Sequence, residues 1–129
     1  MTSTPHAPAH KAEFIRQIEE AIGAHAAWPV ELRSTLATGR SALTPSRAAC
    51  DDRCALGRWL HGGPLPQQMR GASFEAVKRL HRDFHQAAGT VLDMALSGDR
   101  MAARGALEGA LVPATARLSQ ALEGWKSAL

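Results

Sequence analysis

Apolar residues recur at intervals of three, four and seven along most of this chain, which is the spacing of residues on one face of a helix. The first such stripe comprises Phe14, Ile18, Ile22, Leu32 and Leu36, with His25 in the same register. This pattern predicts a first helix from about Lys11 to about Thr38. Because Pro29 lacks a backbone N–H, we expect a kink just after Trp28.

A short second helix is predicted after a stretch of turn-forming residues. Residues 39–50 are rich in Gly, Ser, Thr and Pro, which favour turns and connecting segments. Either Asp51 or Asp52 can then cap a helix over residues 52–61. Two glycines and Pro64 end it.

The third and fourth predicted helices are long and carry continuous apolar stripes. The third begins near Ser73 as its cap and stops at Ser97–Gly98; its inner side comprises Phe74, Val77, His81, Phe84, His85, Ala88, Leu92 and Ala95. Asp99 caps the fourth, and Pro113 predicts a kink within it; its stripe comprises Leu107, Leu111, Ala114, Leu118, Leu122 and Trp125. Together the four helices predict an all-α fold, an antiparallel four-helix bundle whose short second helix carries Cys54.

Composition supports an all-helical single domain. The 129 residues are 45 % hydrophobic and include no Tyr and only 3 Phe, so strand-forming residues are scarce. A chain of this length builds one hydrophobic core. We therefore expect one domain over residues 11–129, preceded by a mobile tail over residues 1–10 that contains Pro5 and Pro8.

Charge and hydropathy argue against several classes of partner. The net charge is +3, but Arg and Lys are dispersed among acids rather than gathered in one stripe, so nucleic-acid binding is not expected. No apolar run approaches the ~18 residues of a membrane span, so we expect a soluble, cytoplasmic protein without a membrane contact. Two cysteines four residues apart do not form a disulfide framework, which favours metal or redox chemistry for the thiol.

Three histidines occupy predicted inward positions. In the segment HRDFH, His81 and His85 lie one helical turn apart, so two imidazoles can share one metal ion. The spacing alone is also typical of a solvated surface pair. Both residues, however, fall within the apolar strip of their helix, and His25 does so on the first helix, where a single histidine is usually a hydrogen-bonded core residue. Buried imidazoles need hydrogen-bond partners or a metal.

Cys54 supplies a fourth ligand of complementary type. As the third residue of the short helix, its thiolate is expected to be stabilised by free backbone N–H groups, although a buried inert cysteine is the alternative. One Cys and three His match the tetrahedral preference of Zn²⁺, while Fe²⁺, Co²⁺, Ni²⁺ and Cu²⁺ can bind similar sets. Cys50 is a rival, replacing His25 or resolving an oxidised Cys54, but a cap at Asp51 would leave it outside the helix.

Three segments resemble the chemoreceptor zinc-binding (CZB) domain family. AHAAW at 24–28, CALGRWLHG at 54–62 and HRDFH at 81–85 occur in the family's order, and the resemblance spans about residues 11–125. It implies a 3His/1Cys zinc site on His25, Cys54, His81 and His85. Pro29 departs from the family, which more often has Lys there. Gly57 matches and is expected to permit a close backbone approach, and Trp59 to cover the site with apolar surface.

The resemblance also implies a regulatory function. Family domains are usually joined to a cytoplasmic chemoreceptor or a diguanylate cyclase, whereas we expect a stand-alone bacterial domain here, with such a signalling protein as its partner and a homodimer as its assembly. The expected function is a response to zinc availability or to oxidants such as hypochlorous acid. A structural zinc module is the alternative. An enzyme is not expected, because four protein ligands close the metal's shell and Asp83 points away from the histidine pair.

Overall fold

The computed structural model describes residues 3–62 and 65–129, with side chains for residues 11–62, 65–67 and 69–129. Its helices are α1 (Ser3–Ala26), α2 (Trp28–Thr38), α3 (Pro45–Ala48), α4 (Ala55–Gly62), α5 (Ala72–Leu96), α6 (Arg100–Ala106) and α7 (Val112–Ala128). A 3₁₀ turn covers Gln67–Met69, and a π-helical turn covers Leu107–Leu111. No strand occurs in this part of the chain, which confirms the all-α prediction.

The predicted first helix is two helices that meet at Ala27. Pro29 lies in the first turn of α2, where a missing N–H removes no intrahelical hydrogen bond. The break therefore falls at Ala27, next to the kink predicted just after Trp28. The start of α1 differs from the prediction, because its backbone is helical from Ser3 rather than from Lys11. Residues 1 and 2 lie outside the described residues, and the mobility of residues 1–10 stays a prediction.

One helix was not predicted, and another begins at a different cap from the predicted one. The connecting stretch contains α3, whose N-cap Thr44 accepts a hydrogen bond from the Arg47 backbone N–H. Helix α5 begins at Ala72 with Gly71 as N-cap, so Ser73 is not the cap. The Gly71 carbonyl accepts the Glu75 N–H at 3.1 Å, which is the first hydrogen bond of that helix.

The predicted fourth helix runs from α6 through the π-helical turn into α7. Asp99 caps it as predicted, because its Oδ1 accepts the Ala102 N–H at 3.2 Å. The π-helical turn lies directly before Pro113, whose ring and missing N–H disturb a regular α-helix at this place. The predicted irregularity at Pro113 is therefore observed as a π-helical turn.

Helix α5 lies at the centre of the domain. It packs against α2, α3, α6 and α7, while α1 packs against α2, α4 and α7. The core that they share is built from the predicted stripes; its fully buried large side chains include Ile18, Phe84, Leu92, Leu107, Leu111, Leu118, Leu122 and Trp125. The antiparallel order of four helices stays a prediction.

Candidate metal centre

Three helices bring four ligand-type side chains to one place. His25 lies in the last turn of α1, and His81 and His85 lie one turn apart in the middle of α5. Cys54 directly precedes α4. The three histidines are buried, with 4 %, 0 % and 1 % of their surface exposed, and Cys54 is half-buried. The structure therefore assembles the four residues that the sequence singles out.

Cys54 is the N-cap of α4 rather than its third residue, so the prediction that the short helix carries the cysteine inside it is wrong. Its carbonyl accepts the Arg58 N–H at 2.9 Å, and its Sγ accepts the Gly57 N–H at 3.3 Å. The thiol takes the capping place that the sequence assigns to Asp51 or Asp52. The cap fixes the direction of Sγ, because a side chain bonded to the first turn of its helix cannot rotate freely.

Gly57 permits the close backbone approach that the sequence predicts. A Cβ atom at this position would lie 1.8 Å from the carbonyl oxygen of Asp51. Only a glycine therefore allows the loop before Cys54 to fold back onto α4. This contact holds Cys54 at the turn between the loop and the helix.

The ligand atoms converge on one point. Cys54 Sγ lies 3.2 Å from Nε2 of His81 and 3.6 Å from Nε2 of both His25 and His85. His81 Nε2 lies 3.2 Å from His25 Nε2 and 3.0 Å from His85 Nε2. All four atoms lie within 4.8 Å of one another.

These separations suit a tetrahedral zinc ion. Zn–N distances near 2.05 Å and Zn–S distances near 2.3 Å imply N–N edges of about 3.3 Å and N–S edges of about 3.6 Å in a tetrahedron. Five of the six edges, two N–N edges of 3.0 and 3.2 Å and three N–S edges of 3.2–3.6 Å, lie within about 0.4 Å of these values. The sixth edge, between His25 and His85, is within 4.8 Å. One thiol and three imidazoles are also the ligand types that Zn²⁺ prefers.

Hydrogen bonds on the opposite side of two rings orient them towards this point. His25 Nδ1 donates to the Ala21 carbonyl at 2.8 Å, and His85 Nδ1 donates to the Ala48 carbonyl at 2.9 Å. These bonds place the proton of each neutral ring on Nδ1 and leave the Nε2 lone pair facing the cluster. Nitrogen lone pairs and a sulfur that face one another repel unless a proton or cation lies among them.

His81 differs from the other two histidines because its Nδ1 is buried without a hydrogen-bond partner among the described residues. No hydrogen bond holds this side of the ring, and the residue is fully buried, with an exposure of 0 %. A buried imidazole with one unpartnered nitrogen carries a desolvation cost. A metal bond to Nε2 would offset that cost.

Burial lowers the pKa values of the histidines and raises that of the cysteine. Desolvation lowers the pKa of His25 to about 4 and that of His81 to about 2, and burial also lowers the pKa of His85. The imidazoles are therefore neutral at pH 7, as metal binding requires. Burial raises the pKa of the Cys54 thiol, because it outweighs the backbone N–H groups at the start of α4. The helix N-terminus by itself therefore does not produce the expected thiolate.

Two aromatic rings enclose the histidines. Trp28 stacks nearly parallel to His25, and its ring centroid lies 5.0 Å from that of His85. Phe84 packs edge-on against His25 at 5.0 Å. Trp59, which the sequence places over the site, instead contacts Phe14 and Trp125. It follows Cys54 by five residues, which turns its side chain about 140° from the cysteine around the helix axis.

Cys50 and Asp83, which the sequence singled out as a rival ligand and as a poor base, lie outside the cluster. Cys50 Sγ donates to the Ser46 carbonyl at 3.2 Å and is not one of the four clustered residues. Asp83 is exposed and lies 3.5 Å from Arg82, on the side of α5 away from the histidines. The carbonyls of Ala21 and Ala48 were missed, because side-chain types do not indicate which backbone oxygens will face a ring.

Over the part of the chain that the structure describes, the fold and the site define an all-helical domain with a compact 3His/1Cys metal centre. A family model for the chemoreceptor zinc-binding domain matches residues 25–92, a range that includes all four clustered residues. The chain therefore belongs to the chemoreceptor zinc-binding domain family. Zn²⁺ is the cofactor that the family and this donor set indicate together. The comparisons with curated proteins and with solved structures found no match. Within the described residues, no helix has both the length and the apolar character of a membrane span.

Proposed function

We propose that this chain is a regulatory domain that binds one Zn²⁺ through His25, Cys54, His81 and His85. It responds to zinc availability, to oxidation of Cys54, or to both. The observation that carries the proposal is the convergence of one sulfur and three Nε2 atoms at tetrahedral separations. The same four residues lie within the family match.

The residues have distinct roles in this proposal. The bound cation supplies positive charge that stabilises the Cys54 thiolate in a place where burial alone raises the pKa of the thiol. His25 and His85 present Nε2 because carbonyl oxygens hold their Nδ1 protons. Trp28 and Phe84 exclude water from the histidine side of the site.

Metal content tests the ligand set. Purified protein should contain one zinc per chain by elemental analysis, and Ala in place of any of the four residues should lower its zinc affinity at least tenfold. Cys50→Ala is the matched control, because its sulfur bonds to the Ser46 carbonyl and lies outside the cluster. If Cys50→Ala abolished binding while His25→Ala left it intact, the ligand assignment would be wrong.

Cys54 is the proposed redox-responsive atom. It is half-buried, whereas the histidines are buried, so it is the ligand that a small oxidant reaches most easily. Hypochlorous acid converts its thiolate to a sulfenic acid, RS⁻ + HOCl → RSOH + Cl⁻; the sulfur loses two electrons and gains the OH group, and the chlorine leaves as chloride. The product has lost the negative charge of the ligand, so the site loses affinity and α4 loses its link to α5.

Titration with oxidants tests this response. Zinc release, followed with a chromophoric chelator, should be stoichiometric with hypochlorous acid and slower with a bulky disulfide. Release should survive in Cys50→Ala, and mass spectrometry of the oxidised protein should find the added oxygen on Cys54. Release that requires Cys50 would instead indicate a Cys50–Cys54 disulfide switch, and no release with any oxidant would leave zinc occupancy as the only signal.

A structural zinc module is the second candidate function. The observation that favours it is the set of four protein ligands, which closes the coordination shell as in structural zinc sites. A structural role predicts zinc that does not exchange over hours and does not respond to oxidant. A sensor predicts affinity matched to a buffered zinc range and measurable exchange.

The wider properties are proposals of the same kind. The closed donor set and the exposed position of Asp83 support a protein that is not an enzyme. We propose a cytoplasmic homodimer that acts on a chemoreceptor or a cyclic-di-GMP enzyme and binds neither nucleic acid nor membrane. Sedimentation analysis with and without zinc tests the dimer. Copurification from cells that express tagged protein tests the signalling partner.

A further inference from the structure

The short helix α3 contacts the metal centre through one carbonyl oxygen. Ala48, the last residue of α3, is fully buried, and its carbonyl accepts the hydrogen bond from His85 Nδ1 at 2.9 Å. The last carbonyls of a helix have no partner within that helix, so this oxygen is available for the imidazole. The position of α3 therefore sets the position of the acceptor.

The distance between α3 and α5 is set by Gly89. This residue lies one helical turn after His85 on the same face of α5, and it is buried. A Cβ atom on Gly89 would lie 2.8 Å from Ala49 Cβ, 3.0 Å from the Pro45 carbonyl oxygen and 3.2 Å from Ala49 Cα. All three atoms belong to a backbone or to a Cβ, so no flexible side chain can move aside.

Local helix stability does not account for a glycine at this position. Its φ is not positive, and alanine is the stronger helix former in a helix interior. Gly89 therefore has a packing role, which is to admit α3. The fully buried Ala88 and Val91 beside it continue the core stripe, so the notch in the surface of α5, which is the space left by the missing Gly89 side chain, is confined to one residue.

We infer that Gly89 is a positioning residue for the metal centre: it admits α3 to the surface of α5, so that the Ala48 carbonyl holds His85 Nδ1 and turns Nε2 towards Cys54 and His81. The inference rests on the proposed zinc function and adds to it a residue that touches no ligand atom. His25 offers the internal comparison, because its acceptor Ala21 belongs to its own helix and needs no such approach.

The first experiment measures zinc affinity by competition with a chelator. Gly89→Ala should weaken zinc binding by about 10–100-fold, the usual effect of losing the partner that orients a histidine ligand. Gly124→Ala is the matched control, because a Cβ there meets no atom within 4 Å. The double variant Gly89→Ala/Ala49→Gly removes the closest of the three contacts and should recover most of the lost affinity.

The second experiment does not depend on bound metal. Imidazole ¹⁵N spectra of the metal-free protein report which nitrogen of each histidine carries the proton. In the wild type, His85 should carry it on Nδ1, and in Gly89→Ala this preference should weaken for His85 while His25 stays unchanged. A loss of overall stability alone would not change one histidine and spare the other.

The outcomes separate the inference from the function on which it rests. The inference would be overturned if Gly89→Ala bound zinc with wild-type affinity. It would also be overturned if Gly89→Ala lost affinity while the His85 spectrum stayed unchanged and the double variant did not recover binding. If Gly89→Ala does not fold, a double variant that folds and binds zinc supports the inference. A double variant that neither folds nor binds zinc overturns the inference. Full zinc binding by His85→Ala would overturn the proposed function itself.

Discussion

Single residues at the metal centre are constrained by close contacts with backbone atoms of other segments. Gly57 is the sharpest case, since a Cβ there would lie 1.8 Å from the Asp51 carbonyl oxygen. His85 is held by the Ala48 carbonyl on one side and faces the cluster on the other. Small changes at such positions have effects beyond the residue that is changed.

Replacing Gly57 by Ala should destabilise the domain. The added methyl forces the loop before Cys54 away from α4, so we expect the free energy of unfolding to fall by at least about 2 kcal/mol, together with weaker zinc binding. Chemical denaturation measures the first effect and chelator competition the second. Gly62→Ala, at the other end of α4, meets no atom within 4 Å and should leave both values nearly unchanged. Equal stability of the two variants would contradict the steric role of Gly57.

The buried histidines make the metal-free protein sensitive to acid. Burial lowers the pKa of His25 from 6.5 to about 4, so the unfolded chain binds a proton that the folded chain does not. Stability is therefore fully present above pH 6.5 and is lost as the pH falls through 6.5 towards 4. Between pH 7 and pH 5, His25 alone should lower the free energy of unfolding by about 2 kcal/mol.

Denaturation at a series of pH values, in the presence of a chelator, measures this dependence. His25→Gln should reduce the slope, because the variant lacks the group that gains a proton on unfolding. A free energy of unfolding that stays constant from pH 7 to pH 5 would show that the histidines are not neutral and buried in the metal-free state.

At the level of elements, α4 is held at its start by Cys54 and not by an aspartate. The sulfur both caps the helix and belongs to the cluster of four ligand residues. The two roles can be separated, because serine caps a helix at least as well as cysteine but is a poor zinc ligand.

Cys54→Ser and Cys54→Ala should therefore differ in the stability of the metal-free protein, and both should lose zinc affinity. We expect Ser to leave the protein about 1 kcal/mol more stable than Ala, since its hydroxyl accepts the Gly57 N–H. Denaturation in chelator and hydrogen exchange of α4 amides measure the difference. Identical stability of the two variants would mean that the cap contributes nothing to α4.

At the scale of the whole molecule, the metal centre lies beside a large apolar core, and we expect that core to form without the metal. The buried side chains of α5 pack against those of α6, the π-helical turn and α7, which lie far along the chain from Cys54 and include Leu107, Leu118 and Trp125. A chain of 129 residues buries enough apolar surface to fold without a metal, unlike a small zinc finger.

Removal of zinc should consequently leave the helices in place and lower the thermal stability. Zinc at about 100 times its Kd adds about 2.7 kcal/mol, which for a domain of this size raises the Tm by roughly 10 °C. Circular dichroism during thermal unfolding, with zinc and with chelator, measures both quantities. Complete loss of the helical signal on chelation would make the metal an obligatory part of the fold.

The sequence by itself determined the helical class, the long helical segments and the ligand candidates, because these depend on local patterns. Period-3.6 stripes gave the all-α fold, and HRDFH gave two imidazoles on one face of α5. His25 was recognisable as a histidine in an apolar register. Prolines at 29 and 113 marked both irregular places in the long helices.

Only the tertiary structure decided how these parts meet. The cap of α4, the notch at Gly89 and the carbonyls that hold His25 and His85 depend on distances between segments far apart in the chain. The same holds for the aromatic cover, which Trp28 and Phe84 supply while Trp59 joins the core. Every residue has the same carbonyl oxygen, so residue type does not indicate which oxygen accepts a hydrogen bond from a histidine. The side of a helix that contacts a neighbouring helix is fixed only when the whole core packs.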